Sequence, residues 1–273
     1  MIRIRPLIEN QMCGDMVSEH GLSVLFEVAT ETGEVVRLLT DTGQSGRFAV
    51  NAEALGVDLQ KVEMLMLSHG HYDHTGGLEA LIDKGFEGDV YTGEGVERVR
   101  YSVQMGEGER RMKKRNGMPK PELLGRVRQH IISEPTCVVD GRIWIVPMRE
   151  AAPVNMRLLG ADGQADSFSD EVFAVVSDGE SVVVYGGCTH HGIANTLRHI
   201  QKTLGIGHVD MYVGGLHLMG KDKETIEQAM RETEALDVKV DKWMTCHCTG
   251  AEAQQMWAER FKVVNVGETV VGK

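Results

Sequence analysis

The chain has 273 residues, and 29 Lys and Arg against 40 Asp and Glu give a formal charge of −11, which excludes nucleic acid as a general partner. Hydrophobic residues at 42% and charged residues at 25% describe a globular protein with a substantial core, and no apolar run approaches the ~20 residues of a membrane helix. Five cysteines, odd in number and scattered, exclude a disulfide framework.

In chain order, MIRIRPLIEN alternates Ile2 and Ile4 with Arg3 and Arg5, the pattern of an edge strand. It lacks the apolar stretch of a signal peptide, so the chain is read as cytoplasmic. LSVLFEVA (22–29) and VVRLLTD (35–41) predict a hairpin about a Thr-Gly turn. MLML (64–67) predicts a short buried strand, and GGLEALID (76–83) a helix. Between about 93 and 135 the periodicity weakens, and Pro119 and Pro121 predict a partly helical insertion within one domain spanning 1–273. RIWIVP (142–147) reads as a strand, and EVFAVVS (171–177) and SVVVYGG (181–187) flank Asp178-Gly179 as a hairpin.

Strand and helix then alternate. Ile193, Leu197, Ile200 and Leu204 keep helical spacing up to Gly205, and the strand VDMYVGG follows. A helix through Ile226, Met230 and Leu236 leads to the strand KWMTC, a helix through Ala253, Trp257 and Phe261, and a closing strand KVVNV. Strands early and strand–helix units late predict an α/β protein with helices packed over sheets.

Four apolar runs end alike. MLMLSHGH, VVVYGGCTHH, MYVGGLHL and WMTCHCTG each pass from a strand through small residues to a histidine. Ligands in α/β layers bind at the carboxyl ends of strands, so His69, His71, His190, His217 and His247 are expected to converge. Imidazole and carboxylate ligate zinc at about 2.0–2.2 Å, and suit iron as well. In an extended loop, residues i and i+2 point the same way, so His69 and His71 can chelate one ion, with Asp73 and His74 placed for a second. Two ions about 3.5–4 Å apart activate water and polarise a substrate oxygen.

The stretch H-G-H-Y-D-H, His69 to His74, resembles the signature of the metallo-β-lactamase superfamily. The resemblance implies a four-layered αβ/βα sandwich and two divalent ions, read as zinc with iron or manganese as alternatives. DTGQSG (41–46), GGCTHHGIANTL (186–197), VGGLHL (213–218) and HCTGAEA (247–253) are similar to one branch, the archaeal dihydropterin–ribofuranosylaminobenzene phosphate synthases and their bacterial relatives. Position by position, it gives His69, His71 and His190 to one metal and Asp73, His74 and His247 to the other. Many members bridge the ions with an aspartate in a G-D motif. Gly187-Cys188 stands there in this chain, so either Cys188 is a ligand or water is the only bridge.

Around this set, His191 competes with His190 for the ligand position. Asp73 and His217 are the candidate catalytic groups, His217 either contacting substrate or a developing oxyanion, or serving as a structural histidine. Asp41, which follows a strand, is expected to orient a ligand histidine from behind. Alternation about His247 would turn Cys246 and Cys248 away from the metals as packing residues. ERRMKKR (109–115) reads as a solvated helix face, or, through Arg111, Lys113, Lys114 and Arg115, as the holder of a substrate phosphate or carboxylate.

The leading functional expectation is a metal-dependent hydrolase of a phosphodiester, ester or lactone. The branch resemblance implies the alternative, a synthase condensing a pterin pyrophosphate with an arylamine ribose phosphate. A non-catalytic ligand sensor is the third reading. The expected partner is a small molecule, phosphorylated or pterin-like, with no nucleic acid or membrane, and homo-oligomerisation is left open.

Overall fold

A computed structural model describes residues 1–30, 32–105, 111–150 and 152–272, and the side chains of Met105, Arg111 and Met112 lie outside what it describes. The chain begins with β1 (Ile2–Ile8), β2 (Ser23–Ala29), β3 (Val35–Thr40), α1 (Arg47–Ala54) and β4 (Met64–Leu67). It continues with α2 (Tyr72–Thr75), α3 (Leu78–Asp83), β5 (Asp89–Gly93), β6 (Arg100–Met105), β7 (Arg111–Arg115) and β8 (Arg128–Ile132). β9 (Thr136–Val139), β10 (Ile143–Pro147), β11 (Leu158–Gly160), β12 (Val172–Ser177) and β13 (Val182–Gly186) follow. Last come α4 (Ile193–Leu204), β14 (His208–Gly214), α5 (Lys223–Glu234), β15 (Lys239–Thr245), α6 (Ala251–Ala258) and β16 (Thr269–Val271).

Two large sheets face each other. One has the order β16-β1-β2-β3-β4-β5-β8, the other β15-β14-β13-β12-β10-β9. Because successive side chains of a strand leave opposite faces, Ile4, Phe26, Leu38 and Met66 turn inward, against Ile145, Val183, Met211 and Met244 of the other sheet. Their neighbours Leu25, Leu39 and Leu65 turn outward and are covered by Phe48 of α1 and Leu78 and Leu81 of α3. On the far side, Phe173, Val184, Tyr212 and Trp243 are covered by Leu197 of α4, Met230 of α5 and Trp257 of α6. Each sheet is thus buried on both faces, which is the expected helix–sheet–sheet–helix layering. Among the described residues, no helix is long and apolar enough to cross a membrane.

Several sequence expectations need correction. β1 is not an edge strand: Ile2 and Ile4 pair with Val271 and Thr269 of β16 on its outer side. KVVNV does not form the closing strand, for Val263 makes a single bridge to Trp243 and the chain closes with β16 instead. The stretch 93–135 holds more strand than helix among its described residues. β6 and β7 form a hairpin, Pro121–Arg126 is a short 3-10 helix with Pro121 at its start, and β8 joins the first sheet parallel to β5. Ile131 and Ile132 favour that extended backbone. The basic run is accordingly a strand, β7, rather than a helix face, and Glu109 and Arg110 lie outside the described residues.

The carboxyl ends of β3, β4, β13, β14 and β15 all open at one rim of the sandwich, where they deliver Asp41, His69, Cys188, His217 and His247.

Candidate metal centre

β4 is four consecutive buried residues, and the chain leaves it through Ser68 and His69, both fully buried. The His69 Nδ1–H faces Ser68 Oγ at 3.0 Å, which frees Nε2 for the opposite direction. That Nε2 lies 3.2 Å from Nε2 of His190. Nε2 of His71 is buried without any hydrogen-bond partner, and the ligand atoms of His69, His71 and His190 all lie within 4.8 Å of one another. Burial pushes His71 down to about 3 and holds His69 and His190 well below the ordinary histidine range. Three neutral rings crowding their nitrogen atoms together, one of them unpaired, suit a cation and little else.

A second group adjoins the first. His74 Nδ1–H donates to Asp41 Oδ2 at 2.7 Å, and His74 Nε2 lies 3.2 Å from Nε2 of His247. Asp73 Oδ2 is 3.3 Å from His247 Nε2 and 3.1 Å from His20 Nε2. Burial by itself would raise Asp73, but the hydrogen bonds from His20 and His247 outweigh it and keep the carboxyl well below its usual value. Burial likewise opposes the charged form of His74, and Asp41 overrides it, raising this ring to about 9. The ligand atoms of Asp73, His247 and His20 lie within 4.8 Å of one another and suit a divalent cation, whereas His74 groups with His69 and Cys188.

The backbone around these groups is strained. Asp41, Phe168, Thr189, His217 and His247 all adopt φ between 49° and 57°, and Asp140 is the sixth non-glycine residue with positive φ among those described. Such conformations cost of order 1–3 kcal/mol each and persist where surrounding structure fixes them. A side chain at Gly187 would put its Cβ 2.1 Å from Ser68 Oγ, so only glycine lets β13 pass this close to the ligand loop.

Carboxylates away from the cavity hold the loops. Arg100, buried, donates to Asp166 Oδ2 at 2.6 Å and to Asp170 Oδ1 at 2.5 Å, and Asp170 Oδ2 accepts the Gly70 N–H at 2.7 Å between His69 and His71. Glu171 accepts from the backbone N–H of His190 at 2.6 Å and from His191 Nδ1 at 2.5 Å. The His191 ring is therefore tied to Glu171, and His190 is the one that joins the cluster.

Of the remaining sequence-derived candidates, Asp41 lies behind His74, whose Nδ1–H it accepts. His217 lies with its ring 4.3 Å from that of His190, and burial lowers it to about 4, so it is neutral at pH 7. Cys188 Sγ is 3.2 Å from His74 Nε2. Cys246 packs in the core between the sheets. Cys248 does not point away. Residues 247–249 form a 3-10 turn rather than an extended segment, so Sγ of Cys248 comes within 4.8 Å of Cys188 and His247.

A cavity of about 230 Å³ opens over the cluster, lined among others by His20, Tyr72, Asp73, Ser102, Asn116 and Cys248. A second, of about 300 Å³, shares His190 and His217 with it and is walled by Phe168, Leu216 and Leu218. Ser102 and Lys114 are register partners across the β6–β7 hairpin, and Lys114 Nζ stands 5.8 Å above the Tyr72 ring. Lys113 instead stands 5.9 Å from Tyr101, and Arg115 pairs opposite Tyr101 on that other face. Among the described basic candidates, Lys114 stands over Tyr72, which lines the cavity, and the Arg111 side chain lies outside the described residues.

The sequence reading missed His20, Glu9 and Asn10. Asn10 Oδ1 faces His247 Nδ1 at 3.0 Å, and Glu9 accepts the His247 N–H at 2.6 Å. Both follow the end of β1, so the strand-end rule applied there would have found them. Nothing local marks Arg100 or Asp170, whose role exists only through long-range contact.

These shifts have a consequence for the metal-free protein. Above pH 6.5 the rings of His71 and His217 are neutral in both folded and unfolded chains. As pH falls, the unfolded chain takes up protons that the folded chain refuses down to about 3 and 4, so stability drops. His74 acts oppositely: its contribution is complete below 6.5 and is lost as pH rises through about 9. Thermal unfolding of chelator-treated protein should therefore show a lower midpoint at pH 5 than at pH 7. An unchanged midpoint would mean these rings are not buried together.

Comparison with known proteins agrees with this geometry. The family model of the metallo-beta-lactamase superfamily matches residues 20–193. A 7,8-dihydropterin-6-methyl-4-(beta-D-ribofuranosyl)-aminobenzene-5'-phosphate synthase of Methanocaldococcus jannaschii is 27% identical over 259 residues, covering 90% of this chain and 86% of its own. A crystal structure described as a metal-dependent hydrolase of the beta-lactamase superfamily superposes with a TM-score of 0.79 at 28% identity, covering 100% of both chains. Zinc-bound PqqB from Methylobacterium extorquens shares the fold, with a TM-score of 0.59 at 12% identity over 98% of this chain and 100% of that one.

Proposed function

Because the chain belongs to the metallo-β-lactamase superfamily, we propose that it is a metal-dependent enzyme acting on a small phosphorylated metabolite. The observation that carries this is the unpartnered, buried Nε2 of His71 within the cluster of His69 and His190. In this reading His69, His71 and His190 hold one ion, and Asp73, His74 and His247 the other. When bound, the ions supply Lewis-acid chemistry, polarising the substrate's oxygen atoms and making water acidic.

The chain's own residues do the rest. Asp41 fixes His74 so that Nε2 faces the cluster, and Ser68 does the same for His69. His217, neutral and beside His190, would donate a hydrogen bond to an oxygen that gains charge. Lys114, over Tyr72, offers an ammonium to a phosphate at the cavity mouth. Phe168, Leu216 and Leu218 give the second cavity an apolar wall for a substrate ring to pack on.

Hydrolysis, with water as acceptor, is the first reading. The second, transfer of a pterin-methyl group from its pyrophosphate to an arylamine, draws support from the named archaeal relative and from two cavities meeting at His190 and His217, since condensation needs room for two substrates. Zinc-loaded protein should turn over either bis(p-nitrophenyl) phosphate or a dihydropterin pyrophosphate with an arylamine, and the substrate that works decides between them. Lys114→Ala should raise KM for the phosphorylated substrate roughly tenfold, the worth of one charged hydrogen bond, and Lys113→Ala should leave it unchanged. Failure of both reactions in fully metallated protein would overturn the enzymatic reading.

A further inference from the structure

The two ligand trios meet at one sulfur. Cys188 Sγ lies within 4.8 Å of the ligand atoms of His69 and His74, and within 4.8 Å of those of His247 and Cys248. His69 belongs to the first trio and His247 to the second, so this thiol reaches toward both. Two other side chains compete for a place between the ions. His74 groups with His69 and sits 3.2 Å from His247, but its Nδ1 is taken by Asp41, and the single lone pair at Nε2 serves one ion. Asp73 groups with His20 and His247 and not with His69. A thiolate carries several lone pairs and can bind two cations at once.

We infer that Cys188 bridges the two ions as a thiolate, taking the place that an aspartate fills in many relatives. The inference rests on the two-ion reading above. On binding, the thiol S–H breaks, its proton passes to solvent, and sulfur forms a bond to each ion. Gly187 makes the arrangement possible, since its missing Cβ lets β13 approach Ser68 closely enough to aim the next residue inward. Cys248 is not part of the bridge: its Sγ–H faces the Cys188 carbonyl at 3.7 Å, and it packs tightly against Gly215, where an added Cβ would come within 2.3 Å of the sulfur. A sulfur bridge selects zinc, iron or cobalt over manganese and magnesium.

The test is a titration of metal-free protein with cadmium-113, followed by ultraviolet absorption and cadmium NMR. A thiolate-to-cadmium absorption band should appear, and at two equivalents the two cadmium resonances should each split through the shared sulfur. Cys188→Ser should lose both signals, Cys188→Asp should keep two bound ions without the band or the splitting, and Cys248→Ser should keep both signals. Loss of the band in Cys248→Ser, or its survival in Cys188→Ser, overturns the bridge. Wild-type protein that binds two ions without the band also overturns the bridge, while leaving the two-ion reading standing. Wild-type protein that binds no ion overturns that reading, and the bridge with it.

Discussion

An Asp41→Asn protein is expected to bind zinc about 10- to 100-fold more weakly than the wild type. Asp41 is fully buried and accepts four hydrogen bonds, from the Ser68 N–H and hydroxyl, the Tyr185 hydroxyl and His74 Nδ1, each at 2.7 Å. Asparagine fills the same volume, but an amide placed at Oδ2 presents two N–H groups to three donors. The two hydroxyls can rotate and accept, but the imidazole has no such freedom. Its proton must move to Nε2, which then faces the cluster with no lone pair for a metal. The protein should also lose about 3 kcal/mol of stability, as expected when hydrogen bonds to a buried charge are broken. A chelator competition assay measures the first effect and urea unfolding the second. Unchanged zinc affinity would mean that Asp41 does not set the His74 tautomer.

Replacing Arg100 with Met should be the most destabilising change outside the cluster, costing about 3–5 kcal/mol, or roughly 10 °C in midpoint. The guanidinium is 2% exposed and satisfies Asp166 and Asp170 together. Methionine fills the space and leaves two carboxylates without their counter-charge. Burial raises Asp170 to about 6 even with Arg100 beside it. In the variant Asp170 takes up a proton more readily still, so the loss relative to wild type should be smaller at pH 5 than at pH 8. Asp170 also anchors the Gly70 N–H, so metal affinity should fall together with stability. A second substitution, Asp170→Asn, should restore part of the stability by removing the orphaned charge. A pH-independent loss, or no loss, would show that the guanidinium is not the partner of these acids.

The sequence displayed the parts of this molecule whose signals are local. Alternation in β2 and β3, the Asp-Gly turn between β12 and β13, and the spacing from Ile193 to Leu204 each depend on neighbours a few residues apart, and each appears in the structure. The strand-then-histidine pattern was also local, and it delivered His69, His71, His190 and His247 to one place because parallel strands put their carboxyl ends on one rim. Errors arose where tertiary contact overrides local preference. β16 covers β1 by three residue pairs, which no pattern near Ile2 can announce. Cys248 turned inward because the backbone at His247 has φ 50°, a strained conformation that invalidates simple alternation. The Arg100–Asp170 brace spans 70 positions and leaves no trace in either neighbourhood.

The central claim is that imidazoles far apart in the chain close around two cations. Elemental analysis of reconstituted protein tests it most directly, on the wild type, His190→Ala and His247→Ala. Two zinc ions per wild-type chain are expected, with about one lost in each variant. Wild-type protein without bound metal, or variants that retain its full complement, would contradict the account.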